Sequence, residues 1–382
     1  MNLKSLLFGS AAALVAVSAA HAADAVVVAE PEPAEYLRIC DVYGSGYFYI
    51  PGTETCLRIG GYIRVDIGAG DTGTFNGVNH VPDQMGKGTH STWKTLARLQ
   101  LNTSTGQETE LGTLKTFTMT RFNFSNSSGD YSDPDDTGPL LPGTKWQAGN
   151  KNVTLTTAWI QLGGLRVGKA DTAFDSFVDY AGNVIQDTLI PYGGFDTNMV
   201  RYYFEGGNGF SAVGSLEQGS NDGSGDNSID SYVPNVVGGV KYKQSWGTVT
   251  AVGAYDSNFE EWAGKVRVDV AVAQGFDLFV LAGYGTDRNA PRNFFKEWGG
   301  NWAIWTGGSY AVTERTSLNA QVSFDGSKNL ALAANVKHDV RPGFQITAEV
   351  DYLRVGSKDS FNWTSAVKKS NLGGILRFQR TF

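Results

Sequence analysis

The sequence predicts an all-β fold: a 16-stranded antiparallel transmembrane β-barrel with short periplasmic turns, long external loops and a third loop folded into the lumen. Three observations predict it. Beyond residue 22 no stretch approaches the roughly 18 apolar residues that a spanning helix needs, so a membrane-spanning chain here must use strands. Segments of about ten residues alternate between apolar and polar side chains, the period of a strand with one lipid-facing and one wet face. The last of them puts Leu372, Leu376, Phe378 and Phe382 on one parity and Asn371, Arg377, Gln379 and Thr381 on the other, and ends on an aromatic.

Taken in order, residues 1–22 read as a secretory leader: Lys4, an apolar run from Leu6 to Ala20, and small residues at Ala20 and Ala22 before a cut ahead of Ala23. Residues 23–55 form a tail and an entry segment. The tail, Ala23 to Glu35, carries three glutamates and two prolines and reads as an extended segment. Cys40 and Cys56, the only cysteines, are expected to join in an oxidising periplasm and to staple Asp41 to Thr55 at the entry to the barrel. The barrel domain is residues 56–382.

Alternation begins just after Cys56. Leu57, Ile59, Ile63, Val65 and Ile67 oppose Arg58, Tyr62, Arg64 and Asp66, which a helix would scatter around its axis. The signature returns in Trp93 to Asn102, in Trp262 to Val270 with Lys265, Arg267 and Asp269 on the wet side, in Leu318 to Asp325, and in Phe344 to Tyr352. A mean hydropathy of -0.22 follows from this pattern, since half of each strand is polar. Trp93, Trp262, Tyr310, Tyr352 and Phe382 fall near strand ends and suit interfacial girdles. Arg380 falls on the outward parity one step from the interface, where a long side chain reaches water. Gly373-Gly374 is expected to mark an outward patch poor in bulky apolar groups.

Short turns such as Gly163-Gly164, Gly206 to Gly209 and Arg341 to Gly343 alternate with polar loops at 68–91, 126–151, 219–234, 286–300 and 356–370. At about ten residues per strand this spacing gives roughly sixteen strands, wide enough for an aqueous channel. Asp171 to Thr197 differs from the other long connections. It is rich in Phe, Tyr, Val and Ile, so it is expected to fold inward against the wall.

Other chemistries find little support. The net charge of -7 is spread along the chain with no basic stripe, which excludes a nucleic-acid reader. Gly68, Gly70 and Gly73 follow a strand but precede TFNGVN in place of a helix start, so the dinucleotide fingerprint lacks its context. The acidic runs Asp130 to Asp136 and Asp222 to Asp230 lack spaced calcium ligands and read as solvated loops, bridged at most by divalent ions to lipopolysaccharide. His80, His90 and His338 have neither a nucleophile nor a second metal ligand near them in sequence. No cofactor, metal or enzymatic activity is expected.

The residues also resemble a known family. CDVYGSGYFYIPGTETCLRIGGYIRVD, ETELGTLKTF, AWIQLGGLRVG, GGNGFSAV, EEWAGKVR and the ending LRFQRTF are similar to the trimeric general porins of alphaproteobacterial outer membranes, essentially end to end. The resemblance implies a 16-stranded barrel, a homotrimer in the bacterial outer membrane, a third loop inside each pore, and passive diffusion of small hydrophilic solutes and ions. It also implies a possible attachment to peptidoglycan through Ala23.

Such a pore needs a constriction whose charges set a transverse field. The expected basic wall is Arg58, Arg64, Lys94, Arg98, Lys115, Arg121 and Arg166, and the expected acidic loop residues are Asp171, Asp175, Asp179 and Asp187. The competing reading is that these charges only keep the lumen wet. Two other uses of the barrel stand against the general pore. A substrate-specific channel would carry an aromatic track, for which Trp159 and Trp305 are candidates without a continuous line. An adhesin or enzyme would need apolar external loops or a Ser/His pair, and neither is visible.

Overall fold

The computed structural model describes residues 38–72, 76–83, 85–126, 148–221, 227–356, 366 and 368–382. The expected leader, Ala23 and the run Asp130 to Asp136 lie outside the described residues, as does most of the Asp222 to Asp230 run. The chain divides into Met1–Arg38 and Ile39–Phe382, and the second unit is the barrel.

Sixteen strands make it: β1 Cys56–Gly70, β2 Thr89–Thr109, β3 Gly112–Ser125, β4 Thr154–Leu162, β5 Leu165–Asp171, β6 Asp196–Gly207, β7 Phe210–Glu217 and β8 Asn235–Gln244, followed by β9 Gly247–Asp256, β10 Glu261–Ala273, β11 Phe276–Gly285, β12 Trp302–Thr313, β13 Thr316–Asp325, β14 Leu330–Arg341, β15 Phe344–Arg354 and β16 Ser370–Thr381. Each pairs antiparallel with the next, and β16 returns to β1. At one end every turn has two residues, as in Asn208-Gly209, where both residues take the positive φ that a tight hairpin demands. At the other end eight connections, L1 to L8, span 71–88, 126–153, 172–195, 218–234, 257–260, 286–301, 326–329 and 355–369. L5 and L7 are only four residues long, so the long-loop side is uneven.

The burial pattern is that of a soluble sheet turned inside out. On β13, Asn319, Gln321, Ser323 and Asp325 are buried while Leu318 and Val322 are exposed, because the apolar parity faces lipid and the polar parity faces the lumen. Outward rings gather at the rims: Trp93, Trp262, Tyr284 and Trp302 at the loop end, Tyr202, Tyr242, Tyr310 and Phe382 at the turn end. Arg380 bends to donate to the Pro342 carbonyl at 2.6 Å. That placement avoids the roughly 2–4 kcal/mol that an arginine costs at mid-bilayer.

The seam depends on Gly61, whose N–H and C=O exchange bonds of 3.0 Å with Phe382. At its φ of 156° a Cβ would come within 2.0 Å of the Gln100 carbonyl oxygen, so no other residue fits. Cys40 and Cys56 are joined, with Cα atoms 6.1 Å apart, and Phe48 and Tyr49 pair with Leu57 and Cys56. The entry segment is therefore stapled to β1 as expected.

Two expectations need correction. L6 is not simply a polar loop, because Phe294, Phe295 and Trp298 are buried: the chain turns inward there and adds them to the core under L3. Gly373 does not lie on an outward patch. Its missing side chain makes room for the Asn76 side chain on the inner face, and only Gly374 follows the outward parity.

Candidate pore constriction

L3 leaves β5 and lies along the inner wall from β7 to β15. A short helix, Ala173–Ser176, starts it with Thr172 as N-cap, and the buried Glu217 of β7 accepts from the Ala173 N–H at 2.9 Å and from the Thr172 hydroxyl. Arg201 of β6 holds Glu217 by an ion pair of 3.0 Å. Further along, Lys265 of β10 pairs with Asp175, both fully buried, and donates to the Tyr192 carbonyl at 2.8 Å.

Trp305 of β12 donates to Ile190 at 2.8 Å, Gln321 of β13 to Asp187 at 2.8 Å, and Asn335 of β14 to Asn183 at 3.0 Å. Glu349 of β15 closes the series by accepting from the Gln186 N–H at 2.8 Å. An inward loop must satisfy its own backbone, and wall side chains supply the partners. The apolar residues that marked this loop in the sequence form the core between loop and wall: Phe174 meets Phe295 at 5.4 Å and Tyr192 meets Trp305 at 6.3 Å. L6 locks the assembly from above, with the Gly194 N–H bonded to the Phe294 carbonyl at 3.0 Å.

The wall that L3 leaves open carries the cations. Arg64 of β1 sits in register with Arg98 of β2, with Arg377 of β16 on one side and Arg121 of β3 on the other. Neutral amides brace three of them. Arg64 donates to Gln379 at 2.9 Å, Arg98 to Asn123 at 2.7 Å and Arg121 to Gln100 at 2.9 Å. Among the ion pairs of the described residues none includes these three. Arg377 instead grips Asp66 with two bonds of 2.7 and 2.9 Å. Like charges on adjacent strands repel, so this arc is stable only in a wet, ion-accessible space.

Of the other expected basic residues, Lys94 lies toward the loop end opposite Gly68. Arg58, Lys115 and Arg166 lie toward the turn end: Arg58 stacks over Tyr47 at 5.0 Å, and Lys115 and Arg166 flank Gln161. The four expected loop acids separate, and the first is not on the loop: Asp171 is the last residue of β5, in register with Asp196 of β6. Asp171 accepts from the Tyr180 hydroxyl and lies in the field of Arg121, and Asp187 lies in the field of Arg377. These two bracket the open side of the lumen. Asp175 is sealed against Lys265 beneath the loop, and Asp179 is exposed at φ 77° in the field of Lys241, across the lumen from the arginines.

Burial pushes the Asp187 carboxyl up to about 7, against the pull of its 2.8 Å bond from Tyr192 and of Arg377. Glu297 of L6, which sequence reasoning passed over, is pushed up to about 8 by burial, with Asp175 adding to the shift. Lys265, Glu349 and Arg267, which donates to the Tyr180 carbonyl at 2.5 Å, were visible as inward residues, but nothing local signalled that they would anchor a loop.

Comparison with known proteins settles what this barrel is. A family model described as "Porin subfamily" matches residues 24–375. The chain belongs to the porin family. Porin Omp2b of Brucella suis is 46% identical over 389 residues, covering 100% of both chains, and that of Brucella melitensis is 45% identical over the same span. The fold is shared with the outer membrane channel DcaP of Acinetobacter baumannii, with a TM-score of 0.60 at 16% identity over 87% of this chain and 99% of that one. An anion-selective porin from Comamonas acidovorans matches with a TM-score of 0.53 at 14% identity, over 86% of this chain and 100% of that one. This porin is thus a channel of the bacterial outer membrane, and its family points away from enzymatic use.

The buried Asp175–Lys265 pair gives a test of how the porin holds its loop. Asp175→Ala leaves Lys265 charged and unpaired in the interior, a loss of about 3–5 kcal/mol. It should expose 172–195 to protease and raise single-channel noise, whereas the apolar double variant Asp175→Leu/Lys265→Met keeps the loop down. A single variant as protease-resistant as the parent would refute the anchoring role.

Proposed function

We propose that this porin is a general, passive pore for small hydrophilic solutes and ions, and that its selectivity is set where Arg64, Arg98 and Arg121 face the carboxylates of Asp171, at the end of β5, and Asp187, on L3. The observation that carries this reading is the arginine arc, amide-braced and in none of the ion pairs among the described residues, on the wall that L3 leaves uncovered. Fixed charges of opposite sign across a narrow aqueous gap orient a passing solute and sort ions by charge. Arg58, Lys94, Lys115 and Arg166 extend the positive field above and below.

We also propose a homotrimer, with the subunit contact on the outer face of β2 and β3. There Thr103, Thr105, Thr116 and Thr118 replace the bulky apolar residues of other strands and bond across the pair, Thr105 to Thr116 at 2.6 Å. Further round the wall, Lys169 of β5 and Asp196 of β6 form an ion pair. Small polar residues and a charge pair suit a protein neighbour better than hydrocarbon.

Three outcomes are expected. In planar bilayers under a salt gradient, Arg64→Gln/Arg98→Gln/Arg121→Gln shifts the reversal potential toward cation preference, and an unchanged potential would remove the arc from the mechanism. Asp187 is largely neutral below its raised pKa and charged above it, so cation preference rises between about pH 6 and pH 8. Asp187→Asn flattens that slope, and a slope that survives the change undiminished contradicts the assignment. Finally, Thr118→Trp should reduce the mass seen by light scattering in detergent from three copies to one while strand content persists, and an unaltered trimer would place the contact elsewhere.

A further inference from the structure

A lumen wall is expected to be polar, yet near the turn end of this one two aromatic rings face the water. Phe117 of β3 and Trp159 of β4 are cross-strand partners on the inner parity, with centroids 5.8 Å apart and planes tilted by 33°. Both are half-buried, and neither belongs to the core under L3. The next position in their row is Gly168 of β5, where a Cβ would come within 2.2 Å of the Ala158 carbonyl oxygen, so the row ends on bare backbone beside Trp159.

One step toward the turn end lies a second row, Lys115, Gln161 and Arg166, on the same face. The Arg166 guanidinium lies 4.0 Å over Trp159 and 4.8 Å from Tyr203. It is fixed by bonds to Gln161 at 2.9 Å and to the Tyr203 hydroxyl at 3.2 Å, which leave one of its nitrogens unengaged. Lys115 is exposed. An aromatic row thus stands above a cationic row, separated by about 7 Å, two residues of strand.

We propose that this wall of β3 to β5 is a binding subsite for planar aromatic carboxylates. The solute ring packs on Phe117 and Trp159 beside Gly168, and its carboxylate meets Lys115 and the free edge of Arg166. Ring contact and a charge-assisted bond then act on two ends of one small molecule. The subsite rests on the reading that this face lines a conducting lumen, and it adds to size sorting a preference for one solute class.

The test uses the full-length protein in planar bilayers, titrating benzoate and then cyclohexanecarboxylate, which has the same charge and similar size but no π face. Benzoate should block the potassium chloride current at about fivefold lower concentration, within what ring contacts supply. Phe117→Leu/Trp159→Leu should bring the ratio of the two blocking concentrations to one, and Phe117→Leu alone should lower it. Because the ratio is read within each protein, changes in basal conductance do not enter. A conducting parent that responds equally to both acids overturns the subsite alone, as does a double variant that keeps the parent ratio. A parent showing no current steps in potassium chloride overturns both the subsite and the pore.

Discussion

The backbone hydrogen bonds that close β16 onto β1 are the constraint from which the rest of the molecule follows. In hydrocarbon an unpaired N–H or C=O costs several kcal/mol, so a spanning sheet has to be endless. Closure at Gly61 and Phe382 meets that demand at the turn end of the seam. It also fixes which strands are neighbours, and so brings Arg377 and Gln379, from the end of the chain, beside Arg64 near its beginning. The arginine arc is a product of closure and cannot exist on an open sheet.

Inside the closed wall, the protein builds what amounts to a second, smaller folding problem. L3 and L6 have a conventional buried core of their own, with Phe174, Tyr192, Phe295, Trp298 and Trp305 at its centre. The core is pressed against one side of the barrel only. Its polar rim, from Glu217 round to Glu349, faces backbone groups that have left water and must be repaid in hydrogen bonds. The asymmetry decides where solutes travel, since the loop fills the β7–β15 side and the open passage is left against β16, β1, β2 and β3.

Much of this was legible in the sequence because period-two alternation is a local property. Leu318 to Asp325 and Asn371 to Phe382 each declare their inner and outer faces without reference to any other segment, and the apolar excess of Asp171 to Thr197 declares that it needs cover. What could not be read is pairing across the lumen. Asp175 and Asp179 are alike in sequence, yet one is sealed on Lys265 and the other is exposed, a difference set by the register of β10 ninety residues away. The same holds for L6, where Phe294, Phe295 and Trp298 sit among Asn, Arg, Lys and Gly and give no periodic signal. Trp159 and Trp305, indistinguishable as inward tryptophans, part company because only the second lies under L3.

The amide bracing of Arg64, Arg98 and Arg121 has a consequence for how the passage behaves in different waters. A guanidinium held by a carboxylate is already neutralised, but one held by Gln379, Asn123 or Gln100 keeps its full charge while losing its freedom to swing. In the role proposed for it, the arc is a fixed surface charge whose reach is set by mobile ions: about 30 Å in 0.01 M salt, spanning a whole lumen, and about 3 Å in 1 M salt, hardly beyond the side chains. On that proposal the envelope would filter by charge in dilute surroundings, and in brine the same barrel would become an uncharged sieve.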